Sequence, residues 1–120
     1  MKTFYVSLLL FALLLTVILL NMFFVRRVTQ DMLRLLDELP PCEEAADAAA
    51  ALADYWSARK MALGLSVCED AMLDAETHLI RLLAAADQKE ASDFETATRL
   101  ARTAILRIRD AERFTADNLF

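Results

Sequence analysis

The sequence predicts an all-α protein: an N-terminal transmembrane helix extended past the membrane, followed by a small antiparallel three-helix bundle. Three observations predict it. Residues Phe4 to Val25 form an apolar run with no charged side chain. Pro40 and Pro41 break the helical pattern that continues from that run. Beyond them, apolar residues recur at helical spacing in an alanine-rich chain with one glycine and no sustained period-two alternation.

The first element, residues 1–27, reads as a membrane anchor. At 1.5 Å per residue the run spans about 33 Å, which matches a hydrocarbon core of about 30 Å. A cleaved secretory signal has an apolar core of roughly 7–15 residues and small residues at its cleavage site. Here the run is longer and leads into Asn21-Met22-Phe23-Phe24-Val25-Arg26-Arg27, which is too bulky for a peptidase. A lipoprotein signal fails because Cys42 lies far beyond the run. A buried core helix is the remaining alternative, and the run is too long for so small a domain. The expectation is an uncleaved single-pass anchor.

Orientation rests on opposing features. Arg26, Arg27 and Arg34 follow the run, and the positive-inside rule alone places the C-terminal domain in the cytoplasm. The short Met1-Lys2 start resembles a bacterial signal anchor with its amine inside. Residues 28–76 carry 3 basic and 11 acidic side chains, a balance of −8, whereas residues 77–120 carry 7 of each. An acidic stretch disfavours contact with an anionic cytoplasmic leaflet. The expectation is an extracytoplasmic domain.

Polar groups in the run are Ser7, Thr16 and Asn21. Ser and Thr bond back to helix carbonyls. Asn21 reaches interfacial water or, alternatively, a neighbouring helix. Ala12 and Thr16 form one small-xxx-small step, and Phe4, Tyr5, Phe23 and Phe24 bracket the run as interface anchors.

Residues 28–39 extend the helix up to the proline pair. Residues 40–120 form the alanine-rich helical domain. Its first helix is expected from Cys42 to Leu65, with Glu43 and Glu44 facing the positive end of the dipole and Gly64 as a fraying point. The next runs from Asp70 to Ala86, with Met72, Leu73, Ala75, Leu79, Ile80, Leu82 and Leu83 as its apolar face. Asp87 and Glu90 resemble a capping box. The last helix is expected from Gln88 to Asp117, with Phe94, Ala97, Leu100, Ala101, Ala104, Ile105, Ile108 and Phe114 at helical spacing. Short connections make neighbours antiparallel. About 80 residues is near the lower limit for independent stability, so remaining apolar surface calls for a partner.

Few residues suggest chemistry. Cys42 and Cys68 are separated by a helix about 35 Å long, whereas a disulfide needs α-carbons within about 7 Å. They read as unlinked small hydrophobic residues, with a bridge between two chains left open. His78 shares a face with Asp74 and Arg81, but two ligands beside an arginine are a poor metal site, and a solvated surface is expected. Arg99, Arg102, Arg107, Arg109 and Arg113 alternate with Asp93, Glu95, Asp110 and Glu112 along the last helix, the pattern of a solvated mixed-charge face. Trp56 is expected as a core anchor, with Tyr55 beside it. A net charge of −5 disfavours nucleic acid. No phosphate loop, nucleophile elbow or metal cluster is present in the sequence, so no catalytic, cofactor-binding or metal residues are assigned.

The layout resembles a family of short bacterial single-pass membrane proteins classed as a domain of unknown function, the one numbered 4363. The features that carry it are the Met1-Lys2 start, the anchor, the acidic stretch leading to Tyr55-Trp56, the Leu79-Ile80-Arg81-Leu82 helix and the terminal Asp117-Asn118-Leu119-Phe120. The resemblance implies a helical domain on an anchor, encoded near a multi-pass membrane protein, and brings no catalytic residues. Polar or histidine residues are expected near the turn before the third helix, and Val67-Cys68 departs from that. The expected function is a non-enzymatic accessory protein that presents its helical domain to another membrane protein. The alternative is a self-associating structural protein, a homo-oligomer joined through the anchor and the alanine-rich helix.

Overall fold

Helix α1 (Lys2–Asp37) is a single helix of 36 residues, about 54 Å long. The structure, a computed structural model, describes residues 1–119, with side chains as far as Ala111. The first half of α1 is apolar all round and uncovered: Phe4, Leu9, Leu14 and Leu20 are all exposed. The second half buries one stripe. Val25, Val28, Met32, Leu33 and Leu36 recur at spacings of three and four and face the rest of the protein. Thr29 lies in that stripe and donates its hydroxyl to the Arg26 carbonyl at 2.9 Å, so the buried polar atom is satisfied. The helix stops where the prolines require. The Glu38 amide closes on the Arg34 carbonyl at 3.0 Å, and Pro40 has no amide with which to continue.

The next helix starts later than the sequence predicts. Cys42–Glu44 form a 3₁₀ turn, and α2 runs over Ala46–Leu63. The junction is Ala45 at φ −90°, ψ −6°, in the sparsely allowed region between two helical pitches. The tighter turn carries Cys42 inward, where it is buried with its Sγ 3.8 Å from the Ala85 carbonyl. Helix α2 ends at Leu63, with Gly64 still at a helical φ of −63°. The Val67 amide then bonds to the Leu63 carbonyl at 2.9 Å to close the turn.

Helix α3 runs over Glu69–Gln88 and α4 over Ala91–Leu119. The expected Asp87–Glu90 capping box does not form, because Asp87 is still inside α3 and the last helix starts three residues later than Gln88. The turn is made by Lys89 instead, in the left-handed region at φ 57°, ψ 36°. The Glu90 amide reaches the Ala85 carbonyl at 3.0 Å and the Lys89 amide reaches the Ala86 carbonyl at 3.4 Å. These are the paired bonds of a Schellman ending, a place where glycine is usual. The Glu90 carbonyl then accepts the Phe94 amide at 2.9 Å and starts α4.

Helices α2, α3 and α4 form the antiparallel three-helix bundle, and the upper part of α1 packs onto it. Helix α4 touches both α3 and α1; α2 lies against α3 and α1. The shared core includes Met32, Leu52, Trp56, Leu79, Leu82, Ile105 and Ile108. Fully burying one such side chain stabilises by roughly 1.5–3 kcal/mol. The buried alanines on α3 (Ala75, Ala85, Ala86) and α4 (Ala97, Ala101, Ala104) add little area each but let the two backbones approach. No strand is present among the described residues.

Candidate functional site

Two polar clusters and one apolar end are the features of this fold that go beyond core packing. The first cluster joins α2 to α1. Trp56 points into the core at 3% exposure, as expected of an anchor, and its neighbour Tyr55 is therefore directed along α1. The Tyr55 hydroxyl donates to Asp31 Oδ2 at 2.9 Å. The Arg59 guanidinium stacks on the Tyr55 ring at 3.6 Å and also donates to the Tyr55 carbonyl at 3.1 Å. Arg34 lies 3.9 Å from Asp31. Partial burial raises the Tyr55 pKa above its ordinary value, helped by the bond to Asp31 and that carboxylate's charge and opposed by Arg59 and Arg27.

The second cluster lies between α3 and α4, and it corrects the expected solvated face. The side chain of His78 is only 15% exposed, with Nε2 3.3 Å from Asp74 Oδ1. The arginine that meets Asp74 is Arg107 of α4, at 3.6 Å, in place of the expected Arg81. The core face of α3 is centred on Ala75, Leu79, Leu82 and Ala86, which turns His78 and Asp74 to one flank, against α4. The opposite flank carries Glu76, which binds Lys60 of α2 at 2.8 Å. Leu73 and Ile80, assigned by spacing to the apolar face, are exposed on the far side.

The arginines of α4 differ from expectation in the same way. Arg102 bonds Asp37 of α1 and Arg107 meets Asp74 of α3, so these charges join helices and do not merely line one. Arg109 stays local, 3.5 Å from Asp110. The side chains of Glu112, Arg113, Phe114 and Asp117 to Phe120 lie outside the described residues. At the start of α4, the hydrogen bond and charge of Asp93 raise the pKa of Glu90. Cys42 and Cys68 are both free, one buried and one exposed.

Tyr55 of α2 bonds Asp31 of α1, and Arg107 of α4 meets the Asp74 that pairs with His78 within α3, so each cluster ties two helices together. Among the described residues no three His, Cys, Asp or Glu side chains converge to hold a metal ion. The third feature is the turn between α2 and α3. A shallow groove there is lined by Trp56, Met61, Gly64, Val67, Met72 and Leu73 together with the charged Lys60, Glu69 and Glu76. Met61 is 85% exposed and Leu65 86%. Spacing alone could not find this end, because alternation marks which face of a helix is apolar but not whether another helix covers it. Comparison with known protein families, curated proteins and solved structures finds no match for this chain.

Proposed function

We propose that this protein is a membrane-anchored, non-enzymatic accessory protein that holds a helical domain against the bilayer for another membrane protein to bind. The observation that carries the reading is the continuity of α1. One helix is bare and apolar over its first half and part of the bundle core over its second, with no linker between. Such a join fixes the domain's height and rotation relative to the membrane. A flexible tether would serve a free-swinging enzyme or binding module; a rigid one suits a domain whose partner is in the same plane.

The uncovered anchor supports this reading. A helix apolar on every side needs an apolar solvent, whether lipid or the helices of a partner. The −8 balance of residues 28–76 favours an extracytoplasmic domain, and the resemblance of the layout to short bacterial single-pass proteins favours a multi-pass partner.

Crosslinking followed by purification in mild detergent tests the proposal at native expression level. A stoichiometric membrane-protein partner is the expected result. Recovery of monomer alone overturns it, and recovery of a homo-oligomer alone transfers the function to self-association through the anchor. For sidedness, Ser92→Cys at the exposed α3–α4 end, in a Cys68→Ser background, is expected to react with an impermeant thiol reagent in intact cells.

A further inference from the structure

The bundle does not stand clear of the apolar run; its lower end overlaps it. Two contacts set the heights. Tyr55 of α2 meets Asp31 of α1, and Lys60 of α2 meets Glu76 of α3. Counting eight residues along each antiparallel helix from the first contact brings Leu63 to the level of Phe23, about 12 Å below Asp31. Counting three residues from the second brings Leu73 to the level of Leu63. The turn from Gly64 to Cys68 is therefore level with the last residues of the Phe4–Val25 run. Burial on α1 gives the same height independently: Asn21, Met22 and Phe24 are partly covered and Val25 fully so, whereas most of the run before Asn21 is exposed. Phe4 to Leu20 rises only about 24 Å, some 6 Å short of a hydrocarbon core of about 30 Å.

At this level the protein exposes the side chains that an interface requires. Met61, Leu65 and Leu73 are 85%, 86% and 53% exposed, although a small water-soluble bundle gains nothing by displaying them together. Arg26 and Arg27 of α1 are exposed at the same height, and Lys60 lies just above. Glu69 and Asp70, exposed in the first turn of α3, oppose deep entry, so the turn belongs among headgroups and the first methylenes. The heights thus run from bare helix in the hydrocarbon, through the Leu65 end of the turn with Glu69 and Asp70 among the headgroups, to Leu73 and the arginines just above.

We propose that the α2–α3 turn, through Met61, Leu65 and Leu73, is a membrane contact that seats the bundle on the same bilayer its anchor crosses. This inference rests on α1 being a membrane anchor. The turn acts as a second foot beside α1, and it fixes the tilt of the bundle where one helix alone leaves it free to rock.

The test uses the full-length protein in phosphatidylcholine–phosphatidylglycerol vesicles, with nitroxide labels read by collision with oxygen and with a water-soluble nickel chelate. The first label goes on native Cys68, which is exposed and lies in the turn. Further labels go on Leu14→Cys, Met61→Cys, Leu65→Cys and, as a water reference, Ala50→Cys, in a Cys42→Ala, Cys68→Ser background. The expected oxygen-to-nickel ratio at positions 61 and 65 is severalfold above that at 50, with position 14 higher still and Cys68 between. If position 14 reads as hydrocarbon but 61, 65 and 68 match 50, the tip is in water; the inference fails and the anchor stands. If position 14 matches 50, the anchor fails and the inference with it. Shielding of 61 and 65 from both reagents means a protein covers the tip, which also overturns the proposal.

Discussion

The two halves of α1 are built from the same kind of residues and do opposite things. Up to Leu20 the side chains are apolar in every direction and uncovered; from Val25 to Leu36 they are apolar in one stripe, and that stripe is in the core. No break in the backbone separates the halves. What changes is where polar residues enter: Arg26, Arg27, Gln30, Arg34 and Asp37 occupy the outward positions of the second half. The lesson is that a helix can change solvent without changing conformation. Its hydrogen bonds are internal either way, and only the side-chain pattern registers whether the surroundings are lipid, protein or water.

The two halves should fail separately. Met32 is fully buried, and Met32→Asp places an unpaired charge in the core. The expected outcome is loss of the cooperative unfolding transition in detergent, read by circular dichroism, while the chain stays in the membrane fraction after carbonate washing. Leu14→Arg is the reciprocal change. A central arginine opposes insertion by roughly 2.5–3.5 kcal/mol, so the carbonate-resistant fraction should fall while the detergent-solubilised bundle melts as before. If either substitution damages both properties, the halves are coupled more tightly than their separate surroundings imply.

Smaller effects sharpen the boundary. Tyr55→Phe removes the hydroxyl bonded to Asp31, where α2 is pinned to α1 just above the bare half. A loss of about 1 kcal/mol is expected in chemical denaturation, because Asp31 remains accessible to water. The same bond has a pH signature. The folded-state pKa of Tyr55 is raised, first by burial, so its contribution is complete below the ordinary phenol value of about 10 and is lost as pH rises through the folded value. Wild type should therefore lose more stability in that alkaline range than Tyr55→Phe does. The smallest change lies farthest from the bare half of α1: Lys89→Gly relieves a left-handed lysine and should stabilise by about 0.5–1 kcal/mol in the same denaturation experiment.

Local chemistry made much of this fold legible. The proline pair sets the end of α1, the alanine-rich stretch forms α2, and Leu79, Leu82, Ile105 and Ile108 fall on buried faces as their spacing requires. The misses are all places where more than one local solution exists. Ala45 divides a continuous helix-forming stretch into a 3₁₀ turn and α2, since propensity does not distinguish the two pitches when every residue is a helix former. Lys89 takes a conformation that its type does not announce, which displaced the expected cap. Asp74 has only His78 within reach on its own helix, and only the approach of α4 brings Arg107 to it.

Composition and periodicity, then, determine that the chain is helical, where its first helix stops, and that its leading segment is apolar enough for a bilayer, because each follows from forces acting within a few residues. Which helices share a core, which charges meet across the seams, and how far down the bare helix the bundle reaches are set by tertiary structure. Those depend on distances between segments far apart in the chain, and burial is a property of what stands opposite a side chain, which no residue encodes by itself.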